Sequence, residues 1–315
     1  MTLYVDEAIV LRTQKLGEAD RIITMLTRHH GRVRAVAKGV RRTTSRFGAR
    51  LEPCSYVEVQ LAVGRSLDVV TQAETRRPYA EAMYADYGRY TTAAAMLETA
   101  ERFTAEEREP ATQQFLLLVA ALRALAEVAH DPGLILDSYL LRSLAVAGYA
   151  ASFDACARCG IGGPHRAFSP AAGGMVCADC RPAGVALPAA ETVRLLAALL
   201  TGEWEVADAS DARHRREATG MVSAYLQWHL ERALRSLPHV ERLEPPGTMS
   251  TEPRGTMSTE RGGTMDTAPR GTMSTERGGE RVGGVVGEER GREGGACRVP
   301  GPGSDASMDT GVGAG

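Results

Sequence analysis

The chain has 315 residues, 43% of them hydrophobic, and a formal net charge of −2 at pH 7. No apolar run approaches the roughly 18 residues that cross a bilayer, which excludes a membrane-spanning helix, and we expect no signal segment, because the first residues lack its basic and long apolar pattern. We therefore expect a reduced, cytoplasmic protein of about two domains. Its charge is uneven, because residues 1–78 hold 14 Lys and Arg against 8 Asp and Glu.

Short β-rich segments follow one another in the first part of the chain. They cover residues 8–12, 21–26, 32–37, 56–61 and 67–71, and turn residues separate them at 29–31 and 63–66. Five strands in about 75 residues are typical of a small closed barrel of the oligonucleotide/oligosaccharide-binding (OB) type. A small open sheet or another five-stranded barrel would also fit this pattern.

A basic stretch lies inside this predicted barrel. Residues 28–50 contain eight positive side chains and no acidic one. Arg32 and Arg34 alternate with apolar residues, so they should emerge on one strand face, and the following residues indicate a mobile loop in which Phe47 could stack on a base. Such a stretch favours contacts with nucleic-acid phosphates over a merely solvated charged face. The predicted contacts are Arg32, Arg34, Lys38, Arg41, Arg42 and Arg46.

The pattern changes to helical periodicity after Pro78. Apolar residues at three- and four-residue intervals predict helices over residues 80–102, 112–129, 134–147, 188–200 and 213–237. These stripes indicate the packed core of a helical bundle that is interrupted by an insertion at about 153–183.

Two Cys-x-x-Cys motifs lie in this insertion. Cys156 and Cys159 are separated by 17 residues from Cys177 and Cys180, a spacing at which two tight turns surround one tetrahedral zinc ion. Four thiolates fill the coordination sphere, which favours a structural zinc site over a catalytic one and over two disulfides. His165 is expected to be a loop residue.

The two remaining cysteines have no partner at metal-ligand spacing. We expect Cys54 to be a small buried core residue and Cys297 an incidental exposed thiol.

The end of the chain differs in composition. Residues 247–315 contain 18 of the 34 glycines and no Leu, Ile, Phe, Tyr or Trp, and an eight-residue unit starts at residues 247, 255, 263 and 271. Such a segment cannot bury enough apolar surface to offset the entropy of ordering the chain. We predict a disordered tail with expanded tandem repeats.

The predicted fold class is α+β. An OB-type barrel (1–79) precedes a helical domain (80–242) with an inserted four-cysteine zinc module, and a disordered Gly-rich tail (243–315) ends the chain. No phosphate-binding Gly loop or catalytic constellation is apparent, so the sequence indicates a binding protein, not an enzyme. An alternative is a zinc-containing interaction adaptor whose basic face binds acidic segments of partner proteins. A zinc- or thiol-dependent enzyme would need an open coordination site or a reactive thiolate pair.

Several motifs in this order resemble the RecO family of bacterial recombination and repair proteins. They are AIVLR at 8–12, LGEADRI at 16–22, HG at 30–31, AVAKGVRR at 35–42, FSP at 168–170 and GGMVC at 173–177. The resemblance covers about residues 1–240 and leaves out the repeat tail.

This resemblance implies a mediator that acts without catalytic turnover in single-strand gap repair. Members of the family bind single- and double-stranded DNA, anneal complementary strands, associate with RecR and help RecA replace single-strand-binding protein (SSB), whose carboxy-terminal tail meets the helical domain in some members. In this chain Lys38, Arg41 and Arg42 match the family's basic segment, and the four cysteines match its zinc ligands. The implied location is the nucleoid.

Overall fold

The computed structural model describes residues 2–45, 47–230 and 234–240, which belong to one compact unit. The predictions for Arg46, Cys297 and the repeat tail lie outside the described residues. Within the described part, no helix is both long and apolar enough to cross a membrane.

The amino-terminal part is a closed five-stranded barrel, which confirms the predicted fold. Its strands are β1 (Leu3–Leu16), β2 (Asp20–Thr27), β3 (Gly31–Ala37), β4 (Tyr56–Ala62) and β5 (Asp68–Arg77). They are hydrogen-bonded in the closed order β1-β2-β3-β5-β4, and all pairings are antiparallel except that of β3 with β5. That parallel pairing covers only Ala35 with Asp68 and Val36 with Val69.

Alternating side chains of the strands fill the barrel. Val33 and Ala35 point inwards from β3, while Arg32 and Arg34, which alternate with them, point outwards. Phe47, just before a short 3₁₀ helix (Gly48–Leu51), is only 2% exposed and packs into the same core. The expectation that Phe47 stacks on a base is therefore wrong, because its ring is already committed to the barrel interior.

Seven helices follow the barrel within the described residues. They are α1 (Tyr79–Tyr84), α2 (Tyr87–Phe103), α3 (Thr112–Ala126), α4 (Pro132–Val146), α5 (Ala190–Thr201), α6 (Trp204–Asp208) and α7 (Ala212–Leu230). The helix predicted over 80–102 is in fact two, because Asp86 leaves the helical conformation and its side chain accepts a hydrogen bond from the Arg89 amide at 2.7 Å. The short helix α6 had no clear signal in the sequence.

Residues 104–111, here called the connection, join α2 to α3 and cross the outside of β3. The Arg108 amide donates to the Arg32 carbonyl at 2.9 Å, and the Arg108 guanidinium donates to the fully buried Asp68 carboxylate at 2.6 Å. Glu107 pairs with Arg34. The connection therefore binds β3 and β5 next to their short pairing and fixes the helices to the barrel.

Gly31 makes this close approach possible. Its φ is +62°, and a Cβ atom at this position would overlap the Glu109 carbonyl. Only glycine combines the left-handed conformation with the space that the connection needs.

We expect Gly31→Ala to lower the free energy of unfolding by several kcal/mol, because about 1–3 kcal/mol of backbone strain adds to a steric clash with the connection. Gly17→Ala is the matched control, since Gly17 has a φ of +58° but no atom within 4 Å of the added Cβ. Urea unfolding of both variants tests this. Equal destabilisation would contradict the role of the close approach.

Candidate metal centre and nucleic-acid interface

The two Cys-x-x-Cys motifs form facing turns. The Gly160 amide donates to the Cys156 carbonyl at 2.8 Å, and the Cys156 amide donates to the Ile161 carbonyl at 2.8 Å. The second turn follows a small hairpin of β6 (Ala167–Ser169) and β7 (Gly174–Val176). Local hydrogen bonds therefore shape the first turn, and the hairpin positions the second.

The four sulfur atoms meet at one point, as the sequence predicts. All four Sγ atoms lie within 4.8 Å of one another, and Cys159 Sγ is 3.8 Å from Cys177 Sγ. Tetrahedral zinc with Zn–S bonds of about 2.3 Å requires sulfur atoms about 3.8 Å apart. These four sulfur atoms therefore fit a metal ion bound by four thiolates. His165 is not part of the cluster and contacts the Ile161 carbonyl instead.

The four thiols influence one another's ionisation. Hydrogen bonds from the Cys177 and Cys159 amides lower the pKa of Cys156 to about 5, whereas contacts with the Cys177 and Cys159 side chains raise the pKa of Cys180 to about 12. Four thiolates so close together repel one another unless a cation lies between them.

The cysteine module is attached to the helices through aromatic side chains. The Phe168 ring of β6 packs edge-on against Tyr225 of α7 with centroids 5.8 Å apart, and Phe153 lies parallel to Phe168. These aromatic side chains belong to the helical core. Cys54 is buried in the same core, as predicted, and burial raises its pKa to about 12.

A basic rim occupies one end of the barrel. It consists of Lys38, Arg41 and Arg42, all exposed, in the loop that leaves β3. The Gly39 amide donates to Asp20 at 2.7 Å, and the Arg41 amide donates to the Ala19 carbonyl at 3.0 Å. The first part of this loop, predicted to be mobile, is therefore fastened to the β1–β2 turn. Lys15, exposed at the end of β1 opposite Arg21, adds a cation that the sequence analysis missed.

Arg32 and Arg34 lie apart from the rim. Both point away from the barrel core, as expected, but the connection covers this face. Arg34 pairs with Glu107, and Arg32 donates to the Ala105 carbonyl. The structure thus divides the predicted cations into a group engaged by the connection and the exposed rim, whose Arg41 guanidinium donates to the Glu18 carbonyl at 2.7 Å.

A cavity of about 260 Å³ is lined mainly by residues of α3 and α4. Leu117, Ile135 and Tyr139 form its apolar wall. Arg123, Arg142 and Glu127 line it as well, and His130 stacks on Trp204 at its edge with ring centroids 3.9 Å apart. Sequence periodicity could not reveal this cavity, because its two arginines lie on different helices.

Comparison with known proteins covers nearly all of the described chain. Residues 1–79 match the family described as "Recombination protein O N terminal", and residues 84–238 match "Recombination protein O C terminal". The chain belongs to the RecO family.

Curated members of this family are similar along their whole length. The chain is 63% identical to the DNA repair protein RecO of Streptomyces griseus over 248 residues, which cover 77% of this chain and 100% of that protein. It is 64% identical to the RecO protein of Nocardioides sp. over 243 residues, or 76% of this chain and 100% of that protein. The RecO protein of Thermobifida fusca is 62% identical over 242 residues, again 77% of this chain and 100% of the relative.

We expect the double variant Cys156→Ser, Cys177→Ser to lose most of its bound metal and to melt at a lower temperature, because two of four thiolate ligands are removed. Elemental analysis and thermal melting of the purified protein measure both effects. Cys54→Ser is the control: it should be less stable, since it places a hydroxyl in an apolar core, but keep its metal. A full metal load in the double variant would refute the assignment.

Proposed function

We propose that the chain is a DNA-binding recombination mediator that acts in DNA repair at single-strand gaps, anneals complementary strands and helps RecA load onto SSB-coated DNA. The observation that carries the proposal is the exposed basic rim on a closed OB-type barrel in a chain of the RecO family, whose curated relatives are named DNA repair proteins. It would work on the nucleoid, where its substrate lies.

Annealing needs no reacting group in this scheme. Lys38, Arg41 and Arg42 would neutralise phosphates on two strands, which lowers the repulsion between the strands and raises the local concentration of complementary bases. Contacts to phosphates carry no sequence information, as a general gap-repair protein requires. Binding and proximity suffice, and we infer that the protein is not an enzyme.

We infer that the metal ion is zinc and that its role is structural. Zinc prefers four thiolates in tetrahedral geometry, and all four positions are filled by cysteines, which leaves none for water or substrate. Structural zinc contributes roughly 10–16 kcal/mol of apparent binding free energy in small zinc peptides. Here it would hold the two turns in the orientation that packs Phe168 against α7.

The implied protein partners are RecR, SSB and RecA. For the carboxy-terminal tail of SSB we propose the cavity on α3, because Arg123 and Arg142 offer cations to a carboxylate beside an apolar wall. The alternative function is an adaptor whose basic rim binds acidic segments of proteins instead of DNA.

Replacing Lys38, Arg41 and Arg42 by Ala should weaken binding of a labelled single-stranded oligonucleotide on the order of tenfold or more at low salt. The slope of log K against log salt should fall by about 2, as expected for the loss of three phosphate contacts. The charge-matched control replaces the exposed Arg194, Arg213 and Arg216 by Ala and should bind like the wild type. If the metal-loaded wild type fails to bind at low salt, the adaptor function takes precedence.

Replacing Arg123 and Arg142 by Ala should weaken binding of a labelled SSB tail peptide several-fold and leave oligonucleotide binding unchanged. Fluorescence anisotropy measures both, and the rim variant should show the reverse pattern. A tail peptide that binds the Arg123, Arg142 variant as tightly as the wild type does would exclude this cavity as its site.

A further inference from the structure

A second and larger cleft lies between the barrel and α2. It has a volume of about 940 Å³, within the usual range of ligand sites, and is separate from the cavity on α3. Leu11 of β1, Leu97 of α2 and Cys54 form an apolar floor. Residues 235, 236 and 239, which follow α7, close its far side.

The cleft carries an excess of positive charge. Four arginines line it, namely Arg12, Arg32, Arg102 and Arg235, against the two carboxylates of Glu98 and Glu101. Arg12 binds Glu101 at 2.8 Å, and Arg102 binds Glu98 at 3.4 Å, so both carboxylates are already paired. Glu98 also accepts hydrogen bonds from the amides of Arg235 and Ser236.

The two other arginines are not neutralised in this way. The Nε atom of Arg32 is buried and has no hydrogen-bond partner among the described residues. The guanidinium of Arg235 is exposed and has no ion pair within the described part of the chain. Neither arginine has a carboxylate partner among the described residues. Arg32 already donates to the Ala105 carbonyl, whereas the exposed Arg235 is placed to bind an anionic ligand.

Exposed tyrosines stand at the mouth of the cleft. Tyr90 lines it, and the ring of Tyr84 lies 5.7 Å from that of Tyr90. Tyr84 is 52% exposed and Tyr90 42%, and Tyr87, one helical turn before Tyr90, is 64% exposed.

This aromatic mouth adjoins the end of the barrel that carries the basic rim. The Tyr84 hydroxyl lies 3.5 Å from the Pro53 carbonyl, and the neighbouring Glu52 pairs with Arg21 at 2.6 Å. Arg21 is the strand partner of Ala37, the residue before Lys38. A strand of nucleic acid bound to the rim would thus lie close to the tyrosines.

We propose that this cleft binds single-stranded nucleic acid, with unpaired bases stacked on Tyr84 and Tyr90 and the backbone held by Arg235. This inference rests on the proposed function and adds a site that contacts the flat faces of the bases. Aromatic stacking beside a cationic groove is the common mode of sequence-tolerant single-strand binding. Duplex DNA does not fit this mode, because its bases already stack on one another.

The test compares Tyr84→Leu, Tyr90→Leu with Tyr84→Phe, Tyr90→Phe and with the control Tyr149→Leu, which removes an exposed ring outside the cleft. The probes are a single-stranded oligothymidine of about 16 nucleotides, an abasic strand of equal length and a duplex. Thermal melting confirms that each variant is folded.

The Leu variant should bind oligothymidine at least about tenfold more weakly with an unchanged salt slope, because stacking is lost and phosphate contacts remain. The Phe variant and the control should bind like the wild type. The abasic strand should bind the wild type weakly and should not distinguish the variants.

Two results would overturn the inference. The first is that the Leu variant binds oligothymidine as tightly as the wild type does, and the second is that it loses binding equally on the abasic strand and on the duplex. If the rim variant loses DNA binding while the Leu variant keeps it, the proposed function stands and only the cleft is excluded. If the wild type binds no oligonucleotide, both fail.

Discussion

The closure of the barrel between β3 and β5 is the constraint on which the rest of the structure depends. Two residue pairs join these strands, and the carboxylate of Asp68 is fully buried beside them. A buried charge without a partner is costly, and Arg108 of the connection supplies that partner. The helices and the barrel are therefore interdependent: the connection completes the barrel, and the barrel fixes the direction in which α2 and α3 leave it.

This arrangement also decides which cations are free. β3 carries Arg32 and Arg34 on one outer face, and the same face receives the connection, so their charges are partly used inside the protein. The rim residues lie beyond the end of β3, in a loop that is fastened to the β1–β2 turn, where the Arg41 guanidinium donates to the Glu18 carbonyl at 2.7 Å. Arg34 is thus paired with a carboxylate of the connection, whereas no carboxylate of the described residues pairs with the rim cations.

Much of this structure follows from local sequence. The five strands were predictable because their β-rich segments are bounded by turn residues, and the cysteine cluster because one ion requires two tight turns at fixed spacing. The break at Asp86 was missed because Asp at a helix start differs from Asp on a helix surface only in its backbone conformation.

Contacts between residues far apart in the chain could not be predicted from local sequence. Arg32 and the carbonyl of Ala105 to which it donates are 73 positions apart, and no periodicity links them. The cleft likewise draws on β1, α2 and the residues after α7, which meet only when the helices pack on the barrel. The burial of Phe47 was not predicted, because its neighbours along the chain do not show how far its side chain lies from the protein surface.

The position of Phe47 has a consequence for how the rim works. The loop that carries Lys38, Arg41 and Arg42 is fastened at its start by hydrogen bonds and followed by an aromatic ring sunk into the core. The start of this loop is thus ordered without a ligand, so binding of a polyanion by the rim would cost less entropy than ordering a free arm. Because phosphates repeat along every strand, a cationic surface of this kind would match each register equally well and let the protein slide.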